Sequence, residues 1–122
     1  THAAVWLMLA LIKTGQRARA WRVLELLLPP NHARTGEDAA RYAVEPYVLA
    51  ADVYGVEPYE GRGGWTWYTG SAAWLTYAIR EHMLGLRVRA GRLKLEPQVP
   101  EDWREVSVSY VYGSTRYVLH GR

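Results

Sequence analysis

An α+β fold is predicted by three features of the sequence. Up to about residue 85 the apolar residues recur at helical spacing, and after Gly85 they alternate with polar ones at a period of two. Glycine and proline punctuate the changes of pattern, at Gly15, Pro29-Pro30 and Gly85. With 122 residues, 49% hydrophobic and 22% charged, the chain has the composition of a folded domain rather than of a disordered segment. Helices first and strands after divide it into two parts, 1–85 and 86–122.

Each element has its own reason. Ala3 to Thr14 is rich in strong helix formers and apolar on almost every side, so neighbours are expected to pack around it, and Gly15 stands where a C-cap belongs. Gln16 to Leu28 follows with Trp21, Leu24 and Leu28 on one face, until Pro29-Pro30 stops it. The short link between the two predicts an antiparallel helical hairpin. Asn31 to Arg41 is polar and reads as a loop with room for one helical turn. Val44 to Tyr54 carries helical spacing, with Pro46 tolerated in the first turn. As a helix it would set Glu45 and Asp52 on one face, two turns apart. Glu57 to Tyr68 is too rich in glycine and aromatics for a regular element. Ser71 to Leu84 reads as a further helix, ended by Gly85. Beyond it, "LRVRAGRLKLEP" alternates about Ala90-Gly91 and "VSVSYVYGSTRYVLH" about Gly113-Ser114, two β-hairpins.

Several function classes are disfavoured by composition. The net charge is +3 and the arginines are scattered, which reads as solvated surface and not as a nucleic-acid patch. Without cysteine there is no disulfide framework and no thiolate zinc site, and a reducing compartment fits. The longest apolar run, Ala3 to Ile12, is too short to span a bilayer, so no membrane contact by this segment is expected. His2, His32, His82 and His120 lack metal-ligand spacing, and neither a nucleophile elbow nor a carboxylate pair is present. A chain that opens on "THAAVWLMLALIK" and closes on "STRYVLHGR" is expected to be a piece of a longer one.

Three features remain as candidates, each with two readings. Thr69-Gly70-Ser71 stands where a helix begins, as an N-cap or as an anion site made of free N–H groups, helix dipole and hydroxyl. Trp65, Trp67, Tyr68 and Trp74 are either core or flat walls against a sugar or base. His2, beside an apolar helix, is either a structural residue or a ligand.

The stretches "THAAVW", "NHART", "RYAVEPYVLAADVY", "GRGGWTWYTGSAAW", "LGL" and "LKLEPQVPEDW", in that order, resemble the C-terminal part of the inverting phosphorylases of glycoside hydrolase family 94. That family includes cellobiose, chitobiose and β-1,2-oligoglucan phosphorylases. It also includes the phosphorylase-like C-terminal region of cyclic β-1,2-glucan synthetases, to which the wording is most similar. The resemblance covers nearly the whole chain. It implies the last helices of a catalytic (α/α)6 barrel over 1–85 and the start of a C-terminal β-sandwich-like domain over 86–122.

The activity it implies is attack of inorganic phosphate, as co-substrate, on the anomeric carbon of a β-glucoside, with inversion and with no cofactor or metal. The family's phosphate-binding histidine falls on His2, and its threonine-glycine pair on Thr69 and Gly70. The general-acid aspartate and a phosphate-binding arginine are expected upstream of Thr1, so this chain alone is expected to be inactive. Glu45 and Tyr47 of "EPYVLAA" match a sugar-pocket motif, and Trp65 and Trp67 are expected to line the same pocket. Ala51 replaces a glutamine that cellobiose phosphorylases carry, which favours another linkage or a longer glucan. The partners implied are a β-glucan or glucosyl phosphate and the rest of the parent chain, with a homodimer left open. The location implied is cytoplasmic, at the inner membrane if the parent is a cyclic glucan synthetase. The alternative is a non-catalytic glucan-binding or structural module of such a synthetase. The plainest reading keeps Thr69-Gly70-Ser71 as a helix cap only.

Overall fold

The first helix, apolar on almost every side in the sequence, is not packed by neighbours on most sides: Val5 and Met8 are buried, but Trp6 and Leu7 are each 54% exposed. A computed structural model describes residues 1–67 and 69–121. Helix α1 (His2–Lys13) buries Val5 and Met8 completely and Leu9, Leu11 and Ile12 almost so. It ends in a Schellman turn: the Gly15 N–H donates to the Ile12 carbonyl at 3.0 Å and the Gln16 N–H to the Leu11 carbonyl at 2.8 Å. This reversal sends α2 (Arg17–Leu27) back antiparallel, with Ala20 and Leu24 against α1. Pro29-Pro30 then closes the hairpin in a 3₁₀ turn.

The expected helical turn in the polar segment is a full short helix, α3 (Gly36–Tyr42). Its signal lies in Thr35, which caps it by accepting a hydrogen bond from the Asp38 N–H at 3.1 Å. Val44 to Tyr54, by contrast, is not a helix. Its backbone bonds sideways to the chain that returns after it. The Ala51 N–H donates to the Trp65 carbonyl at 2.7 Å, the Tyr54 N–H to Arg62 at 2.9 Å, and the Gly64 N–H to Asp52 at 3.0 Å. Val53 and Gly63 form a β-bridge. These non-local bonds satisfy the groups a helix would have satisfied internally. Gly63 makes the approach possible, since a Cβ there would run into the Val44 side chain, and Tyr42 lies just beyond. Glu45 and Asp52 therefore share no helix face. Residues 57–67 are irregular, as expected; Tyr68 lies outside the described residues.

Helix α4 (Thr69–Tyr77) runs on into a π-helical turn over Ala78–Met83. The expectation of one continuous α-helix missed this widening. A π turn brings residues five apart onto one side, and here both Ala78 and Met83 are fully buried in the core. Gly85, at φ +68°, ends the helical part, and the Glu96 carbonyl leaves no space for a side chain there.

Strands β1 (Leu86–Arg89) and β2 (Arg92–Leu95) pair about Ala90-Gly91, and β3 (Val106–Tyr112) and β4 (Thr115–Gly121) about Gly113-Ser114. Both turns match the expectation. The hairpins form two separate two-stranded antiparallel sheets. The first returns to the helices through its tail: the Trp21 indole N–H donates to the Gln98 carbonyl at 2.8 Å, and Trp21 packs on Trp103 at 4.8 Å between ring centres. The protein is thus mixed α+β. Among the described residues no helix is long and apolar enough to cross a membrane.

Candidate functional site

The start of α1 and the start of α4 meet. The Thr1 backbone nitrogen donates to the Ala51 carbonyl at 2.7 Å, and its hydroxyl donates to the Ala50 carbonyl, so the irregular ribbon of residues 44–67 holds the beginning of α1. That hold sets the His2 ring near α4: a Cβ built on Gly70 would lie 3.7 Å from His2 Cε1. A Cβ at position 70 would make ordinary van der Waals contact with the imidazole. Thr69 is the first residue of α4 rather than the residue before it. Thr69 and Gly70 are both exposed, and no acidic side chain stands in the first turn of α4. A helix start of this kind carries unsatisfied N–H groups and a partial positive charge.

Aromatic rings extend from His2 along the groove between α1 and α4. His2 meets Trp6 edge-on at 4.9 Å, Trp6 meets Trp74 at 6.0 Å, and Trp74 meets Tyr77 at 5.8 Å. Trp6 stands one helical turn after His2, on the same face.

Three of the four expected pocket residues come together on the ribbon. The Trp67 indole N–H donates to Glu45 Oε1 at 3.2 Å, and the Tyr47 and Trp67 rings meet edge to face at 6.2 Å. Trp67 sits at φ +62°, a left-handed conformation costly for a bulky residue and found mostly where the surroundings over-determine it. Trp65 holds the ribbon through its carbonyl, while its side chain is 75% exposed. Trp67 and Tyr47 are likewise exposed, so none of the three is core. Ala51 is a ribbon residue whose N–H and carbonyl are both engaged.

The remaining histidines hold structure together. His32 stacks on Tyr42 at 4.8 Å and bonds the Leu26 carbonyl, His82 bonds the Tyr77 hydroxyl at 3.1 Å, and His120 meets Glu105 at 3.0 Å. Burial, helped by the nearby charges of Lys13 and Arg87, pushes the His82 pKa below the usual histidine value. Burial also raises the Tyr42 hydroxyl. Among the described residues no three His, Asp or Glu side chains converge as a metal-ligand set.

The model of the glycosyl hydrolase 94 superfamily catalytic domain matches residues 1–85, and the chain belongs to that family. Along its whole length it is 46% identical to the cyclic beta-(1,2)-glucan synthase NdvB of Rhizobium meliloti (strain 1021). It is 28% identical over 97% of its length to the solabiose phosphorylase of Paenibacillus borealis, and 25% identical over 96% to an N,N'-diacetylchitobiose phosphorylase of Vibrio proteolyticus. The chain spans only 4%, 15% and 14% of those three relatives. Along its length it is thus similar to part of a glucan synthase and to parts of sugar phosphorylases.

Proposed function

We propose that this segment supplies the phosphate-binding corner of an inverting β-glucan phosphorylase-type domain. Its helices would be the last of an (α/α)6 barrel and its hairpins the start of a β-sandwich-like domain, divided near Gly85. The observation that carries the reading is the nearness of the His2 ring to Gly70 at the start of α4. An imidazole, the Thr69 hydroxyl and the first N–H groups of α4 would grip phosphate and aim one of its oxygens at the anomeric carbon. As that oxygen–carbon bond forms, the glycosidic carbon–oxygen bond breaks, and an aspartic acid from the preceding part of the chain protonates the leaving oxygen. Glu45, Tyr47, Trp65 and Trp67 would wall the sugar. The partners would be a β-glucan or glucosyl phosphate and the rest of the catalytic domain, in the cytoplasm, with inorganic phosphate as co-substrate and no cofactor.

The test is phosphorolysis of β-1,2-oligoglucans by the full-length protein. Thr69→Ala is expected to slow it by about 10²-fold, as loss of a positioned oxyanion donor does. Unchanged phosphate dependence in that variant would sink the phosphate role.

The exposure of Tyr47, Trp65 and Trp67 favours a second reading, a glucan-holding module without phosphorolysis. Glucan binding that is independent of phosphate, in a full-length protein showing no phosphorolysis, would select it.

A further inference from the structure

At the far end of the ribbon lies a cleft of about 510 Å³, lined by Tyr54, Val56, Tyr59, Arg62, Gly63 and Gly64. None of these residues belongs to the site described above. Tyr54 and Tyr59 meet edge to face at 6.3 Å, with Tyr59 53% exposed. The turn that carries them is held by its own backbone. The Arg62 N–H donates to the Tyr59 carbonyl at 3.0 Å, the Gly61 N–H to Tyr54 at 2.8 Å, and the Tyr54 N–H to Arg62 at 2.9 Å. The backbone that carries the rings is therefore pre-formed, which lowers the entropy cost of binding. Among the described residues the Arg62 guanidinium forms no ion pair, and neither tyrosine hydroxyl has a hydrogen-bond partner.

This chemistry selects among ligands. Glu57 and Glu60 stand on the same turn, two carboxylates against one guanidinium, so the cleft offers no positive patch to a phosphate or a nucleic acid. Flat ring faces with unpaired hydroxyl and guanidinium groups suit a neutral polyhydroxylated chain, whose C–H faces stack and whose hydroxyls accept and donate. The Val53–Gly63 bridge and the Ala51–Trp65 bond place the cleft on the same ribbon as Tyr47, Trp65 and Trp67. We propose that the Tyr54–Tyr59–Arg62 cleft is a second contact for a β-glucan chain, engaging units distant from the bond that reacts. Its identity as a β-glucan contact rests on the function proposed above.

The test is affinity electrophoresis of the full-length protein through gels containing long β-1,2-glucan, with turnover of long glucan and of the disaccharide followed in parallel. Tyr59→Ala is expected to weaken the apparent Kd for long glucan about fivefold to tenfold, Arg62→Ala less, and Tyr59→Phe by no more than about twofold, because the ring face is kept. Disaccharide turnover should not change, since both side chains are exposed and outside the reacting pocket. Equal retardation of wild type, Tyr59→Ala and Arg62→Ala overturns the proposal, as does a wild-type protein that glucan does not retard. Equal loss of long-glucan and disaccharide turnover also overturns it, marking the cleft as structural or as covered by another part of the chain. The phosphorolytic reading fails separately, by absence of phosphate-dependent turnover in a wild-type protein that glucan still retards; the binding series then decides the cleft alone.

Discussion

The α1–α2 hairpin and the ribbon of residues 44–67 are built on opposite principles. In the hairpin, side chains do the organising: Val5, Met8 and Ala20 are fully buried, and the backbone satisfies itself within each helix. In the ribbon, the backbone does it: Ala51, Tyr54, Gly63 and Gly64 bond across to distant residues, while Tyr47, Trp65 and Trp67 remain in solvent. The hairpin is held by buried side chains, and the ribbon by its backbone bonds.

Three substitutions or conditions would break or sharpen that contrast. The largest effect is expected at the centre of the hairpin, where Met8→Ala should cost about 2–5 kcal/mol by leaving a cavity, read as a lower urea midpoint. A drop within about 0.5 kcal/mol would mean that α1 is not the packing centre. Gly63→Ala should cost about 1–3 kcal/mol by forcing a Cβ into Val44. Hydrogen exchange should quicken at the Ala51 and Tyr54 amides while those of α1 stay protected, and Val44→Ala should recover part of the loss. Equal loss of protection in α1 would erase the distinction between the two regions.

The smallest effect concerns His82, whose folded pKa lies below its unfolded value chiefly through burial. The unfolded chain then binds the extra proton first. The contribution of neutral His82 is complete above the unfolded pKa and is lost as pH falls towards the folded one. Stability should therefore decline below about pH 6.5, the ordinary histidine value. His82→Gln should flatten that part of the pH profile, and a profile of unchanged slope would remove His82 as the cause.

Much of the fold was legible because its causes are local. Gly15 ends α1, Pro29 ends α2, and Ala90-Gly91 and Gly113-Ser114 turn the hairpins, each through the conformation of the residue itself. Val44 to Tyr54 was misread because its apolar spacing suits a helix, whereas Gly63 makes a ribbon possible from outside the segment. The π turn was hidden for a similar reason: Ala78 and Met83 share one side only because the core awaits both.

The candidate site divides the same way. Resemblance picked out His2, Thr69, Gly70, Glu45, Tyr47, Trp65 and Trp67, but no local rule says which of them touch. The sequence by itself determined the order of helices and strands, the turns, and the family. Only the tertiary structure decided that His2 meets the start of α4, that Glu45 and Tyr47 gather around Trp67, and that Trp65 faces solvent. Turns and periodic faces are set by a few neighbouring residues, whereas a meeting of residues far apart in the chain depends on how the packed elements between them bring their ends together.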